Sequence, residues 1–211
     1  MEENMFINEI LPPRCVGNGD DIAIDALRPL VANCHQFLEE SKDLPLLKNL
    51  SVEYKDVQKV KVRQQKRTTA FSETFNQAFK REHTNIVQRA IFANGESSFI
   101  KPLLDSSSAA QEPFYIFPPN GYKFMYCKEV KNSTSEYRQV FDALFEQFGN
   151  EKEQATTIIT DLLKFTYTKE NLHEGISLGS EIIIYGVPYY FAVRASVVNT
   201  YNELLTSLHN H

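Results

Sequence analysis

Apolar positions along the chain fall into stretches of different period, and each period predicts an element. Between 20 and 42, Leu27, Leu30, Val31, Cys34, Phe37 and Leu38 recur at steps of three and four residues, the stripe of an amphipathic helix. Pro29 limits that helix, because proline is tolerated only in a first turn; the helix starts near Leu27 or kinks at the proline. Over 52–64, Val60 and Val62 alternate with Lys59, Lys61 and Arg63, the period of a strand with one apolar and one basic face. Thr68 or Thr69 then caps a helix on which Phe71, Phe75 and Phe79 repeat every four residues. Residues 86–93 read as a strand leaving into a turn at Asn94-Gly95, and 96–113, rich in Ser and Ala, as a mobile surface loop.

Apolar runs at 114–117 and 122–127, joined by Pro118-Pro119-Asn120-Gly121, predict a β-hairpin turning on the Asn-Gly pair. Ser133 or Ser135 caps a helix with the stripe Tyr137, Val140, Phe141, Leu144, Phe145 and Phe148, closed by Gly149. A second helix carrying Ala155, Ile158, Ile159, Leu162 and Leu163 follows, so the two make an αα-hairpin. A helical turn at Leu172 and Ile176 leads to Gly179. Strands at 181–185 and 189–193, joined by Gly186-Val187-Pro188, predict a second hairpin, and Val197 or Val198, Tyr201, Leu204, Leu205 and Leu208 mark a last helix. Without a regular βαβ alternation, the predicted class is α+β. It is a single domain over 20–211 with a mixed or antiparallel sheet and N- and C-terminal helices. An irregular arm, 1–19, precedes it, punctuated by Pro12-Pro13 and Gly17-Asn18-Gly19.

Composition sharpens this picture in two places. At 211 residues, 42% hydrophobic and 23% charged, the chain is long and apolar enough to bury a core, one rich in its 15 Phe and 10 Tyr. The net charge of −5 argues against a dedicated nucleic-acid binder. Residues 55–67, however, hold six basic side chains (Lys55, Lys59, Lys61, Arg63, Lys66, Arg67) and one acid, Asp56, a local +5 that leaves −10 elsewhere. The three cysteines form no C-x-x-C pair and are odd in number, so neither a disulfide framework nor a zinc site is expected. An acidic N-terminus and the lack of a long apolar run predict neither a secretory signal nor a membrane span, hence a cytoplasmic location.

Motifs for metallohydrolases, serine hydrolases, calcium loops, Rossmann folds and phosphate loops are missing, and no metal is expected. Two features remain. The basic strand reads as a solvated edge protected by lysines, as an anion site in which Lys59, Lys61, Arg63 and Arg67 hold phosphate, or as a docking strip for an acidic partner. Glu181 opens an apolar strand after Gly179, where an inward carboxylate polarises a ligand hydroxyl and an outward one meets water.

An arginine on a basic strand, a helix, a strand ending in a small polar turn, and much later Gly-x-Glu opening a strand together resemble the element order of the ADP-ribosyltransferase fold. That resemblance implies an NAD site in which Arg63 or Arg67 holds the phosphates, Asn94 takes the hydroxyl position, Tyr115 or Tyr122 lies near the nicotinamide, and Glu181 steadies the ribose as nicotinamide leaves. ADP-ribose would then pass to a protein target in a host cell. The chain departs from arginine-specific members at Gly179, where they carry Glu or Gln. In style, with its Pro/Gly arm and Ser-rich loop, the chain is also similar to small structural proteins of tailed bacteriophages. That likeness implies a non-catalytic connector or tail component in the virion, interlocked with neighbouring subunits or copies of itself.

Overall fold

The computed structural model describes residues 24–62, 89–99, 111–148, 154, 157–158, 161, 167–198 and 200–209. The arm, the 68–83 helix, Arg63 and Arg67, most of the second helix of the αα-hairpin and most of the 96–113 loop lie outside them. The described chain is α+β. Helices α1 (Ile24–Asn33) and α2 (His35–Ser41) precede strands β1 (Leu46–Ser51), β2 (Val57–Lys61), β3 (Ile91–Gly95), β4 (Gln111–Phe117) and β5 (Lys123–Cys127). Helix α3 (Ser133–Phe148), strand β6 (Tyr167–Thr168), helix α4 (Leu172–Ser177), strands β7 (Glu181–Tyr185) and β8 (Tyr189–Arg194) and helix α5 (Tyr201–His209) complete it. All eight strands form one sheet, in the order β2-β8-β4-β1-β3-β7-β5-β6, and every pairing is antiparallel.

The first helix starts before Leu27, at Ile24; it includes Pro29 and breaks at Cys34. At the break Asn33 Nδ2 donates to the Pro29 carbonyl at 2.7 Å, and the Asn33 carbonyl accepts the Asn120 N–H at 2.6 Å. Strand β1, central in the sheet, carries leucines rather than β-branched residues and gives no strand signal in the sequence.

Both predicted hairpins are corrected. Strand β4 pairs with β1 and β8, β5 with β6 and β7, and neither β4 with β5 nor β7 with β8. The Asn-Gly turn explains the first: Gly121 has φ 85° while Asn120 keeps a negative φ, and Tyr122 N–H closes onto the Pro119 carbonyl. That is a type II turn, whose twist splays flanking strands where a hairpin turn would match them. In the second, Gly186 has φ 83°. The consequence is geometric. Strands β7 and β8 run parallel, four places apart, about 19 Å in a flat sheet. The link Gly186-Val187-Pro188 spans at most about 14 Å. The sheet therefore folds over on itself, and the chain crosses from one half to the other at 118–122 and at 186–188. The two crossings run side by side, a Cβ on Gly186 coming within 3.9 Å of the Gly121 carbonyl oxygen.

Register shows what fills the fold. Leu46, Phe114, Ile116, Ile91, Ala93, Ile182, Ile184 and Tyr126 share one face and belong to one continuous core. On the other face, Tyr115 and Phe117 meet Tyr201 of α5, and Phe117 meets Phe37 of α2.

Candidate functional site

These strands bring together three of the residues that the resemblance assigns to an NAD site. Glu181 and Asn94 are directly opposed across β7 and β3, and Leu47 of β1 and Tyr115 of β4 continue the same row. Three of the predicted positions thus lie on one line and one face of the sheet. Asn94 lies within β3 rather than in a turn after it, paired on both sides with Glu181 and Leu47, and α4 packs on the next residue: a Cβ on Gly95 would stand 2.6 Å from the Ile176 carbonyl oxygen.

Their polar atoms, however, are turned to the fold. Glu181 is only 7% exposed, and its carboxylate accepts the Ser133 backbone N–H at 3.1 Å. This places a negative charge at the N-terminus of a 16-residue helix, where the unpaired amides and helix dipole favour it. The rest of that terminus is closed by Asn132 and Glu136, not by the serines the sequence indicates. Asn132 Oδ1 accepts from Ser135 N–H, and Glu136 Oε1 accepts from Lys131 and Asn132 N–H, a reciprocal cap. Asn94 Nδ2 donates to the Lys131 carbonyl at 2.7 Å, so both members of the pair anchor the 130–133 segment to the sheet. Tyr167 lies beside Glu181 and Tyr137, and burial pushes its hydroxyl pKa well up. Tyr115 is buried with its ring 4.9 Å from that of Tyr201, its pKa raised by burial and by Glu96; Tyr122 sits elsewhere, its hydroxyl 2.5 Å from Glu40. The Glu181 carboxylate is thus buried and engaged by the start of α3.

The basic strip has a different character. Lys59 and Lys61 lie on β2, at one end of the strand order, facing Phe191 and Tyr189 of β8; both are exposed, and Lys59 Nζ sits 4.0 Å over the Tyr189 ring. The one acid of that segment, Asp56, turns inward to Arg194 at 2.9 Å. Arg194 is a residue that sequence reasoning missed. Its guanidinium also contacts Glu112, the Val52 and Tyr54 carbonyls and the Phe114 ring, tying the β1–β2 connection to β4 and β8. Nothing in its sequence neighbourhood reveals this, because its partners lie about 80 to 140 residues away. Among the described residues no cluster of His, Cys, Asp or Glu could hold a metal ion, and no helix is long and apolar enough to cross a membrane.

Compared with protein-family models, curated proteins and solved structures, the chain finds no match.

Proposed function

We propose that the chain is a non-catalytic assembly subunit, of the kind that builds phage virions, which docks an acidic protein surface along β2. The observation that carries this reading is the use of Glu181: its carboxylate holds the start of α3. The basic strip supports it. Lys59 and Lys61 are exposed on a terminal strand whose neighbouring acid is engaged by Arg194, while the chain outside 55–67 carries −10, so a second copy itself presents an acidic surface. The ADP-ribosyltransferase-like reading, with NAD as cofactor, keeps one observation in its support, the common row of Glu181, Asn94 and Tyr115. It requires the α3 N-terminus to release the glutamate.

Light scattering across a salt series tests the docking strip, with fluorescently labelled polyglutamate as an acidic probe. Self-association or probe binding should weaken steeply with salt and disappear in Lys59→Glu/Lys61→Glu. Salt-independent behaviour, or an unchanged double variant, would overturn the reading, and preferential binding of duplex DNA would reassign the partner.

A further inference from the structure

The crossing at 118–122 holds a second kind of chemistry. We propose that Asn120-Gly121 is a latent deamidation site, held shut by Gln36 of α2. Deamidation at Asn-Gly starts when the backbone nitrogen of the glycine, having lost its proton, attacks Cγ of the asparagine. The N–Cγ bond forms, the Cγ–Nδ2 bond breaks, and ammonia leaves. Water then opens the resulting succinimide at either carbonyl, giving aspartate or isoaspartate. A following glycine accelerates the step because no Cβ screens its nitrogen.

Asn120 and Gly121 are both exposed, so base and water reach them. Both reacting groups are nevertheless held. Gly121 N–H donates to Gln36 Oε1 at 2.8 Å, which keeps the nucleophile protonated and aimed at α2. Asn120 Oδ1 accepts the Gln36 backbone N–H at 3.0 Å, which fixes the electrophile, and Asn120 N–H donates to the Asn33 carbonyl at 2.6 Å. Gln36 is itself steadied, its Nε2 donating to Glu40 Oε1 at 3.1 Å and to the Tyr122 carbonyl at 3.4 Å. The clamp sits where α1 breaks into α2, so separation of α2 from the crossing frees both groups together. Reaction in the open state makes the opening permanent: it adds a negative charge near Glu40, and isoaspartate lengthens the backbone of a link that joins the two halves of the sheet.

Peptide mapping by mass spectrometry during incubation in mildly alkaline buffer tests this. Asn120 should stay intact in the folded wild type while it converts in denaturant, and Gln36→Ala should convert roughly tenfold faster than folded wild type through loss of its side-chain clamp. Amide hydrogen exchange at Gly121 gives a second readout that needs no variant, and protection is expected. Wild-type conversion as fast as in denaturant, no acceleration in a folded Gln36→Ala, or an unprotected Gly121 amide would overturn the proposal.

Discussion

Arg194 shows what a single residue does in this fold. Its side chain is 11% exposed and shared among two carboxylates and two backbone carbonyls. Removing it leaves all four groups without their cation in a partly dry site. Arg194→Met should therefore destabilise the protein by on the order of 3 kcal/mol in urea unfolding, and an unchanged midpoint would show the network to be decorative. Glu181 was legible in the sequence as a carboxylate opening an apolar strand, whereas its pairing with Asn94 was not, because it depends on which strands become neighbours. Nor could the orientation of Glu181 be read, which depends on α3 arriving from elsewhere in the chain. Asn132, the residue before Ser133, makes the cap in place of either serine.

At the scale of elements, periodicity located α3, α4, β7 and β8 within a residue or two, began α5 three or four residues early, where Ala195–Val197 form a separate 3-10 turn, and misjudged how strands connect. An Asn-Gly pair between two apolar runs closes a two-residue type I′ hairpin only when both residues turn left-handed; here only the glycine does, and the strands part. The docking of α4 was equally silent, since it depends on two glycines that leave room. A Cβ on Gly175 would lie 2.7 Å from the Tyr126 ring, and one on Gly95 would meet the Ile176 backbone oxygen. The Tyr126 ring is fully buried with its hydroxyl bonded to the Asn171 carbonyl and Glu174, so neither contact is relieved without repacking, and Gly95→Ala and Gly175→Ala should each cost about 1–3 kcal/mol by thermal unfolding. Equal and negligible losses would mean that α4 is not held against β3.

The whole molecule carries an alkaline signature. Burial raises the Cys34 thiol from 9.0 to about 12 and the Tyr126 hydroxyl from 10.0 to about 12, the latter assisted by Glu174. Tyr115, Tyr122, Tyr167, Tyr185 and Tyr201 are raised as well, burial being the first cause in each. Between the unfolded and folded values the folded chain keeps protons that the unfolded chain releases. Stability is then fully present below about pH 9 and falls as pH rises. Urea midpoints should drop above that pH, with tyrosinate absorbance appearing together with unfolding; tyrosines that titrate freely in a folded chain would contradict the buried assignments. Charge also resolves at this scale, a basic strip on an acidic body, which the sequence arithmetic showed and which β2 places on a terminal strand. The central claim is that Glu181 serves the fold and not a reaction. Incubation of the pure protein with labelled NAD and cell extract, beside Glu181→Gln, tests it most directly. The account predicts no hydrolysis and no transfer by either protein, with Glu181→Gln less stable than wild type; NAD turnover by wild type that a fully folded Glu181→Gln loses would contradict it.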